Sequence, residues 1–362
     1  MTHDLATTNA QLGTLWQGGA GTNVRDVELV PDTKLAIVSD LHMGDGSGSD
    51  DLRRNTEAVR VALRWYCETG YSVVLLGDIE DLWKFDLPAV RRRYGETIYQ
   101  DMALLGPGPT CPRRFRVFGN HDIDWRGLDD PAAGPRSGPP PGVPEAVRLM
   151  RGGQPVALFV HGHQGSLDSD KGTWFSRFFV RIWRWIEPIL HAFGSYPTNP
   201  AATECKVMGD FERSMYDWAK RTRAILVCGH SHRAYFGSRS RADVIHQQIE
   251  AATAEGKKDK ATDARRKELK DERWKGRDLG PLDGKGQVVP CYFNSGCGLY
   301  TTGITAIEIK GAGDGEIRLV FWKVGSSAPE AWRRDRLGLV STAGLLSDVQ
   351  RGAARAVEAA AQ

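Results

Sequence analysis

The 362-residue chain has no uncharged apolar run as long as a membrane-spanning helix needs, about 18 residues. Its first 13 residues are polar and lack the apolar stretch of a secretory signal. Cysteine is scarce, with six residues scattered along a chain that is too large to depend on disulfide bonds. We therefore expect reduced thiols, no membrane span and a cytoplasmic protein.

The chain also has no large excess of charge of either sign. The 48 basic and 45 acidic residues leave a formal net charge of only +3. A nucleic-acid-binding protein typically carries a clear basic excess. The overall charge therefore gives no strong case for a nucleic-acid partner.

Composition divides the chain into three parts. Residues 1–32 are predicted to be a polar N-terminal extension, residues 33–325 one large domain, and residues 326–362 a C-terminal tail that is helical in part. Residues 130–144 are rich in proline and glycine, which predicts a surface loop. Residues 241–285 mix many charges of both signs, which is typical of a solvated helix or a partly disordered insertion.

The start of the domain is predicted to be a strand, a helix and a second strand. Residues 35–38 and 73–76 are short apolar runs, and residues 52–69 place apolar side chains at helical spacing before Gly70. Such a unit is the hallmark of a layered α/β domain.

Three further strands are predicted late in the chain. They cover residues 288–294, 304–309 and 317–324, which alternate or run apolar between glycine-containing turns. We expect these strands to form a second sheet packed on the first.

Five short blocks of metal-type donors occur where apolar, often β-branched runs end. In chain order they are Asp40-Leu41-His42, Gly77-Asp78, Gly119-Asn120-His121-Asp122, His161-Gly162-His163 and Gly229-His230-Ser231-His232. Side chains at the same end of neighbouring strands meet in space even when they are far apart in sequence. We therefore expect the five blocks to converge on one site.

The donor types indicate a pair of divalent cations. An aspartate such as Asp78 can bridge two cations, Asn120 offers a neutral carbonyl oxygen, and the histidines offer imidazole nitrogens. Mixed oxygen and nitrogen donors without a thiolate suit Mn, Fe or Zn, and we favour Mn.

In this order the blocks resemble the motifs of the calcineurin-like metallophosphoesterase superfamily, D-x-H, G-D, G-N-H-[DE], H and G-H-x-H, over residues 34–324. The resemblance implies an α/β fold, a four-layer sandwich of two stacked mixed β-sheets flanked by α-helices, with the site at the strand ends. It also implies a dimetal centre bridged by Asp78. The first metal is expected on Asp40, His42, Asp78 and His232, and the second on Asp78, Asn120, His161 and His230.

The resemblance further implies a hydrolase of phosphoric esters. Two cations about 3.5–4 Å apart lower the pKa of a bridging water and neutralise charge on the phosphoryl oxygens. His121 is predicted to give a proton to the leaving oxygen, because an imidazole with an ordinary pKa of about 6.5 can do so near neutral pH. Asp122 is predicted to orient His121 or raise its basicity; the structural alternative is that Asp122 caps the turn after the strand.

Three more residues are candidates for supporting roles. His163 is predicted to support the site rather than bind a metal directly, and Asp81 to hydrogen-bond a metal-ligating imidazole. Arg233 is either a phosphate clamp or a surface cation.

Two enzyme hypotheses and one non-enzyme hypothesis follow. The first is hydrolysis of a phosphodiester or pyrophosphate bond by a metal-bridging hydroxide, on a lipid-linked or nucleotide substrate. The second is a phosphomonoesterase or protein phosphatase, because the same dimetal centre serves both reactions. A catalytically silent scaffold is disfavoured, because every ligand position of the motif is filled.

Two motif forms, Gly77-Asp78-x-x-Asp81-Leu82-Trp83 and His161-Gly162-His163, resemble the UDP-2,3-diacylglucosamine hydrolase branch of the superfamily. Members of that branch cleave a pyrophosphate and carry a helical lid, which corresponds here to about residues 170–215. Within it, residues 174–190, from Trp174 to Leu190, form an aromatic stripe with arginines largely on the opposite face. This helix either packs on its own domain or makes a peripheral contact with lipid at the inner membrane face.

Overall fold

A computed structural model describes most of the chain. The described residues are 5–18, 22–106, 114–126, 142–164, 206–256, 260, 262–263, 282, 288–300, 303–311, 315–324 and 332–351. The predicted aromatic helix at 174–190 and most of the predicted proline- and glycine-rich loop lie outside these residues.

Thirteen strands in the described residues form two mixed sheets. The seven-stranded sheet has the order β1-β5-β6-β7-β10-β8-β9, and the six-stranded sheet has the order β13-β12-β11-β2-β3-β4. The strands are β1 Val24–Glu28, β2 Lys34–Val38, β3 Ser72–Leu76, β4 Arg114–Val117, β5 Ala146–Arg151, β6 Gln154–Val160, β7 Ile225–Cys228, β8 Ala234–Phe236, β9 Arg239–Ser240, β10 Tyr292–Ser295, β11 Gly303–Lys310, β12 Glu316–Val324 and β13 Trp332–Val340.

Helices cover the sheets. They are α1 Leu5–Gln17, α2 Thr56–Glu68, α3 Leu87–Tyr94, α4 Ile98–Ala103, α5 Lys206–Thr222, α6 Arg241–Ala254 and α7 Thr342–Arg351, with short 3-10 turns at Asp51–Asn55 and Ile123–Trp125. The predicted first helix is confirmed as α2, whose apolar positions at helical spacing are all buried. No helix in the described part of the chain is long and apolar enough to cross a bilayer.

Alternation along the central strands explains the layers. On β2, Ile37 points into the core between the two sheets, whereas Ala36 packs with the helices on the outer face. On β3, Val74 likewise lies in the core between the two sheets, and Val73 packs with the helices on the outer face. Both faces of these strands are therefore buried, and the predicted four-layer α/β sandwich is confirmed.

Parallel pairing brings strand ends to common edges. β2, β3 and β4 run parallel, with Ile37 opposite Val74 and Val74 opposite Phe115. In the other sheet β6 and β7 also run parallel, with Leu158 opposite Leu226. The segments that follow these five strands therefore emerge at the carboxyl edges of the two sheets.

The expectation that the late strands form a separate second sheet is wrong. β11 pairs antiparallel with β2, so β11 and β12 extend the first sheet, while β10 pairs with β7 in the other. The physical reason is burial: seven of the eight residues of β11 are buried, as suits a central strand covered on both faces.

Segments at both ends of the chain add strands to the sheets. β1, within the predicted extension, pairs parallel with β5, and β13, within the predicted tail, pairs antiparallel with β12. Sequence analysis assigned no strand to either segment, because each mixes charged with apolar residues and so carries a diluted strand pattern.

The predicted charged insertion begins with a capped helix. The Ser240 hydroxyl accepts the Asp243 N–H at 3.1 Å, and the Asp243 carboxylate accepts the Ser240 N–H at 2.9 Å, which forms a capping box for α6. Most of the insertion after α6 lies outside the described residues.

Candidate metal centre

Each of the five donor blocks directly follows a strand, as predicted. Asp40, Asp78 and Asn120 come after β2, β3 and β4 of the six-stranded sheet. His161 and His230 come after β6 and β7 of the seven-stranded sheet. The two sheets therefore contribute donors to one site from facing edges.

The donor atoms form overlapping groups. Within each group the atoms lie within 4.8 Å of one another, the spacing that a shared cation requires. The groups are Asp40, His42 and His232; Asp78, His161 and His230; and His42, Asp78 and His121.

The first group surrounds the Asp40 carboxylate. His232 Nε2 lies 3.3 Å from Asp40 Oδ1 and 3.1 Å from His42 Nε2. The His42 Nε2 is also 3.8 Å from Asp78 Oδ2, which connects this group to the next. Burial lowers the pKa of His42 to about 4, helped by the charge of His121, so its nitrogen lone pair is available to a cation.

The second group surrounds His161. Its Nδ1–H donates to the Leu76 carbonyl oxygen at 2.9 Å, which turns Nε2 toward Asp78 Oδ2 and Asn120 Oδ1, both at 3.2 Å. Burial opposes charge on His161, but the carboxylates of Asp78 and Asp40 raise its pKa to about 10. A cation bound here would take the place of that proton.

The backbone at the site is unusual. Seven described residues other than glycine have a positive φ, and five of them are candidate ligands: Asp40, His42, Asp78, His230 and His232. Each such conformation costs of order 1–3 kcal/mol, and strain of this kind collects at binding sites. The left-handed turns aim consecutive side chains inward at one point.

Glycines leave room for the ligand side chains. A Cβ on Gly77, where φ is +81°, would lie 2.6 Å from the His161 ring. A Cβ on Gly119 would overlap the Asp78 carboxylate, and one on Gly229 would overlap the Asp40 carboxylate. The two sheets thus meet so closely at the site that only glycine fits beside the donors. The donor chemistry, the strained turns and the glycines that leave room for the donors together fit a dinuclear metal site.

Gly77→Ala tests this close approach against a matched control. Gly70, at the other end of β3, has nearly the same φ, +79°, but its Cβ position meets only the end of the Lys34 side chain, at an ordinary contact distance of 3.9 Å. Both alanine variants are expected to lose about 1–2 kcal/mol of stability. Only Gly77→Ala should also displace His161 and weaken metal binding about 10- to 100-fold, measured by equilibrium dialysis. Equal metal affinity in the two variants would show that the close approach of Gly77 to the His161 ring does not support metal binding.

A set of residues that sequence analysis missed holds the turns in place. Asn294 donates from Nδ2 to the Gly229 carbonyl at 2.6 Å and to Ser231 Oγ at 3.1 Å. The Ser39 hydroxyl donates to the Asp40 carboxylate and lies 2.7 Å from Ser295 Oγ. The two residues at the end of β10 therefore order the first and last donor blocks.

His121 is the more open member of the site, with 19% of its side chain exposed. Its Nδ1 lies 2.8 Å from Asp81 Oδ1, so Asp81 bonds the predicted proton donor, whereas the predicted ligand His42 lies 3.9 Å from Asp81 Oδ2. Burial lowers the pKa of His121, but the charges of Asp81 and Asp78 outweigh it and raise the pKa above its ordinary value. His121 thus favours a protonated state that can donate.

The hypothesis that Asp122 orients His121 is wrong in the structure. Asp122 is fully buried and accepts the N–H groups of Gly119 at 2.6 Å, Asp78 at 3.2 Å and Ile79 at 2.9 Å. Arg116 lies 3.3 Å from the same carboxyl group. Neighbours in a tight turn point apart, so Asp122 holds the turns together, in line with the alternative role of a cap.

His163 and Arg233 lie beside the donors without joining the three groups. Burial, helped by the charge of His161, lowers the pKa of His163 to about 3. The Arg233 side chain interacts with Tyr235 and with Glu212 beneath the last donor block. A phosphate clamp by Arg233 would therefore have to compete with these partners.

Glu212 is a buried carboxyl group that sequence analysis did not identify. It lies on α5, and burial raises its pKa to about 7, while the hydroxyls of Ser231 and Tyr292 limit the rise. A raised pKa means that the folded chain keeps this proton while the unfolded chain releases it from about pH 4.5 upward. Stability is therefore lost as the pH rises toward 7.

Glu212→Gln is expected to remove this pH dependence. Between pH 5 and pH 8 the metal-free wild-type chain should lose about 2–3 kcal/mol more unfolding free energy than the glutamine variant. Urea unfolding at the two pH values measures the difference, and Glu250→Gln on the exposed face of α6 is the control. Parallel pH profiles for wild type and Glu212→Gln would show that this carboxyl is not the cause.

Two stacked mixed sheets that present clustered aspartate and histidine donors at their strand ends define a metal-dependent hydrolase. The family model described as calcineurin-like phosphoesterase matches residues 33–234, more than half of the chain. The chain belongs to this family, whose members hydrolyse phosphoric esters and normally bind a dimetal centre. No curated protein matches the chain.

Proposed function

We propose that the chain hydrolyses a phosphodiester or pyrophosphate bond with two divalent cations. The proposed ligands of the first cation are Asp40, His42, Asp78 and His232, and those of the second are Asp78, Asn120, His161 and His230. The observation that carries the proposal is the pair of donor groups joined through His42 and Asp78, with His42 Nε2 3.8 Å from Asp78 Oδ2. Asp78 is the natural bridge, because it belongs to two of the three groups, one with His42 and His121 and one with His161 and His230.

When bound, such cations supply Lewis-acid charge that activates water and neutralises the phosphoryl oxygens. The chain's own residues then orient and protonate. His121, adjacent to both groups, donates a proton to the leaving oxygen, and the Asp81 carboxylate at its Nδ1 stabilises the protonated ring. Asp81 fixes the tautomer by accepting the Nδ1–H, which leaves Nε2–H as the donor.

The charges around the site favour a singly charged phosphodiester or a pyrophosphate linkage. Two cations beside the site are held by carboxyl groups: Lys84 contacts Asp51 at 2.8 Å, and Arg116 pairs with Glu80. A phosphomonoester dianion carries more negative charge than a diester, so its binding needs more positive charge around the site. A phosphomonoesterase or protein phosphatase with the same dimetal centre is the second candidate.

For the metal we propose Mn, with Fe and Zn as alternatives. The donors are carboxylate, amide and imidazole groups, a set that suits all three metals. Cys228 ends β7 beside the site, but burial raises the pKa of its thiol well above the usual value. A protonated buried thiol is a poor ligand, which supports a thiolate-free site.

For the substrate we propose a lipid-linked or nucleotide compound, by analogy with the UDP-2,3-diacylglucosamine hydrolase branch. The support is the G-D-x-x-D-L-W form of the second donor block. In it the Asp81 carboxylate hydrogen-bonds the His121 ring, and the Trp83 indole stacks on the same ring. Peripheral membrane contact through residues 174–190 belongs to the same proposal.

The test is an activity screen of the metal-reconstituted chain. With Mn added, hydrolysis of a bis-aryl phosphate is expected to exceed hydrolysis of the matching aryl phosphate. A panel of nucleotide diphosphates, dinucleotides, glycerophosphodiesters and UDP-linked glycolipids then ranks the substrate classes. Preference for the monoester would favour the second candidate, and no metal-dependent hydrolysis of any ester would reject both.

A further inference from the structure

One aromatic side chain joins the proposed proton donor to a proposed metal ligand. The indole ring of Trp83 stacks on the imidazole of His121, with centroids 4.2 Å apart and planes 19° from parallel. The same indole donates its Nε1–H to the Asn120 carbonyl oxygen at 2.8 Å. Trp83 is itself buried, with 8% of its surface exposed, so the surrounding structure holds its position.

Asp81 alone leaves the His121 ring free to turn. A single hydrogen bond at Nδ1, 2.8 Å long, fixes one point of the ring but permits rotation about that bond. The stack on Trp83 removes this freedom, since turning the ring would break face-to-face contact. On another side the ring meets His42 edge-on, with centroids 4.6 Å apart and planes at 84°.

The backbone adds a further connection between the two turns. The Leu82 N–H donates to the His121 carbonyl oxygen at 3.2 Å. Residues 81–83 thus contact residues 120–121 through a carboxylate, a backbone N–H, an indole face and an indole N–H. These four contacts all converge on His121 and Asn120.

We propose that Trp83 is a positioning residue that sets the ring plane of His121, and with it the direction of the donated proton relative to Asn120. This proposal rests on the proposed function. A proton donor works only when its N–H points at the leaving oxygen, and a misplacement of about 1 Å costs about 100-fold in rate. Trp83 sets the direction of the His121 N–H through the ring stack and not through contact with the substrate.

The test compares Trp83→Leu with Trp83→Phe in the metal-loaded chain. Trp83→Leu removes the stack and is expected to lower kcat about 30-fold on a diester with a poor leaving group, but less than about 3-fold on a bis-nitrophenyl phosphate. KM and the bound metal should stay unchanged. Trp83→Phe keeps an aromatic face and should restore kcat to within about 3-fold of wild type.

Trp322→Leu is the matched control. Trp322 is also buried, contacts aromatic rings and donates its indole N–H to Tyr66 at 3.0 Å, but it lies on β12 and contacts none of the described donor residues. This variant should lower stability without changing the ratio of the two rates. If Trp83→Leu does not fold, Trp83→Met fills the space without an aromatic face and carries the same expectation.

A double-mutant cycle shows whether Trp83 acts through His121. In a His121→Ala background, Trp83→Leu should change the rate less than about 2-fold, because the ring that it positions is gone. Additive losses, equal losses on both substrates, or loss of metal in Trp83→Leu would each overturn the proposal.

A spectroscopic measurement separates this proposal from the proposed function. In zinc-loaded or metal-free protein, the ring C–H signals of His121, assigned by their loss in His121→Ala, should be shifted upfield by the indole face. Trp83→Leu should abolish the shift and Trp83→Phe should retain part of it. A chain that hydrolyses no phosphoric ester would reject the proposed function, while an unshifted wild-type signal would reject the role of Trp83.

Discussion

Asp78→Asn is expected to bind fewer than two metal ions per chain and to lose about a thousandfold in turnover, or about 4 kcal/mol. The reason is that Asp78 is shared by two donor groups, one with His42 and one with His161 and His230. Asparagine keeps the shape and one oxygen but cannot supply negative charge to two cations. Elemental analysis after dialysis gives the metal content, and steady-state kinetics on the bis-aryl phosphate gives the rate.

The control is Asp50→Asn, which makes the same chemical change at another buried carboxyl. Asp50 accepts the Gly46 N–H at 2.7 Å and the Tyr94 hydroxyl at 2.6 Å, and it belongs to none of the donor groups in the described chain. Its variant should lose stability but keep two metal ions. Full metal occupancy in Asp78→Asn would remove Asp78 from its bridging position.

The donor blocks were readable from the sequence because each is contiguous and directly follows an apolar run. Asp40 comes two residues after β2 and His161 comes immediately after β6. A strand that must be buried on both faces leaves a continuous apolar pattern, and the polar residue that ends it stands out. Parallel order then brings such ends together without any detail of side-chain packing.

The supporting contacts were not readable, because they depend on which distant residues meet. Asn294 lies within β10 and is 65 residues from Gly229, whose carbonyl it holds. Asp81 reaches His121 across 40 residues, whereas Asp122, adjacent in the chain, faces the other way. Sequence adjacency is thus a weak guide to contact where the backbone turns sharply.

Sheet membership was beyond sequence reasoning for a similar reason. Alternation along residues 304–309 predicts a strand, and the structure confirms it as β11. The pattern does not say which strand it pairs with, and β11 joins β2, from which it is separated by more than 260 residues. Burial of both faces, known only from the fold, places β11 at the centre of the sheet.

His121→Ala is expected to separate substrates by their leaving groups. A poor leaving group departs as an alkoxide that needs a proton, so its hydrolysis should slow about 100- to 1,000-fold. An activated aryl phosphate leaves without that help and should slow less than about 5-fold. Bound metal should stay at the wild-type level, because the proposed ligands of both cations are intact.

Two carboxyl variants show which group assists His121. Asp81→Asn removes the charge 2.8 Å from His121 Nδ1 and should show the same leaving-group pattern at a smaller size, about tenfold. Asp122→Asn loosens a carboxyl that accepts three backbone N–H groups, so it should lower stability while preserving the ratio of the two rates. If the ratio of the rates on the two substrates changes in Asp122→Asn and not in Asp81→Asn, then Asp122 rather than Asp81 assists His121. Equal losses on both substrates in His121→Ala would show that His121 binds or orders the phosphoryl group rather than protonating the leaving oxygen.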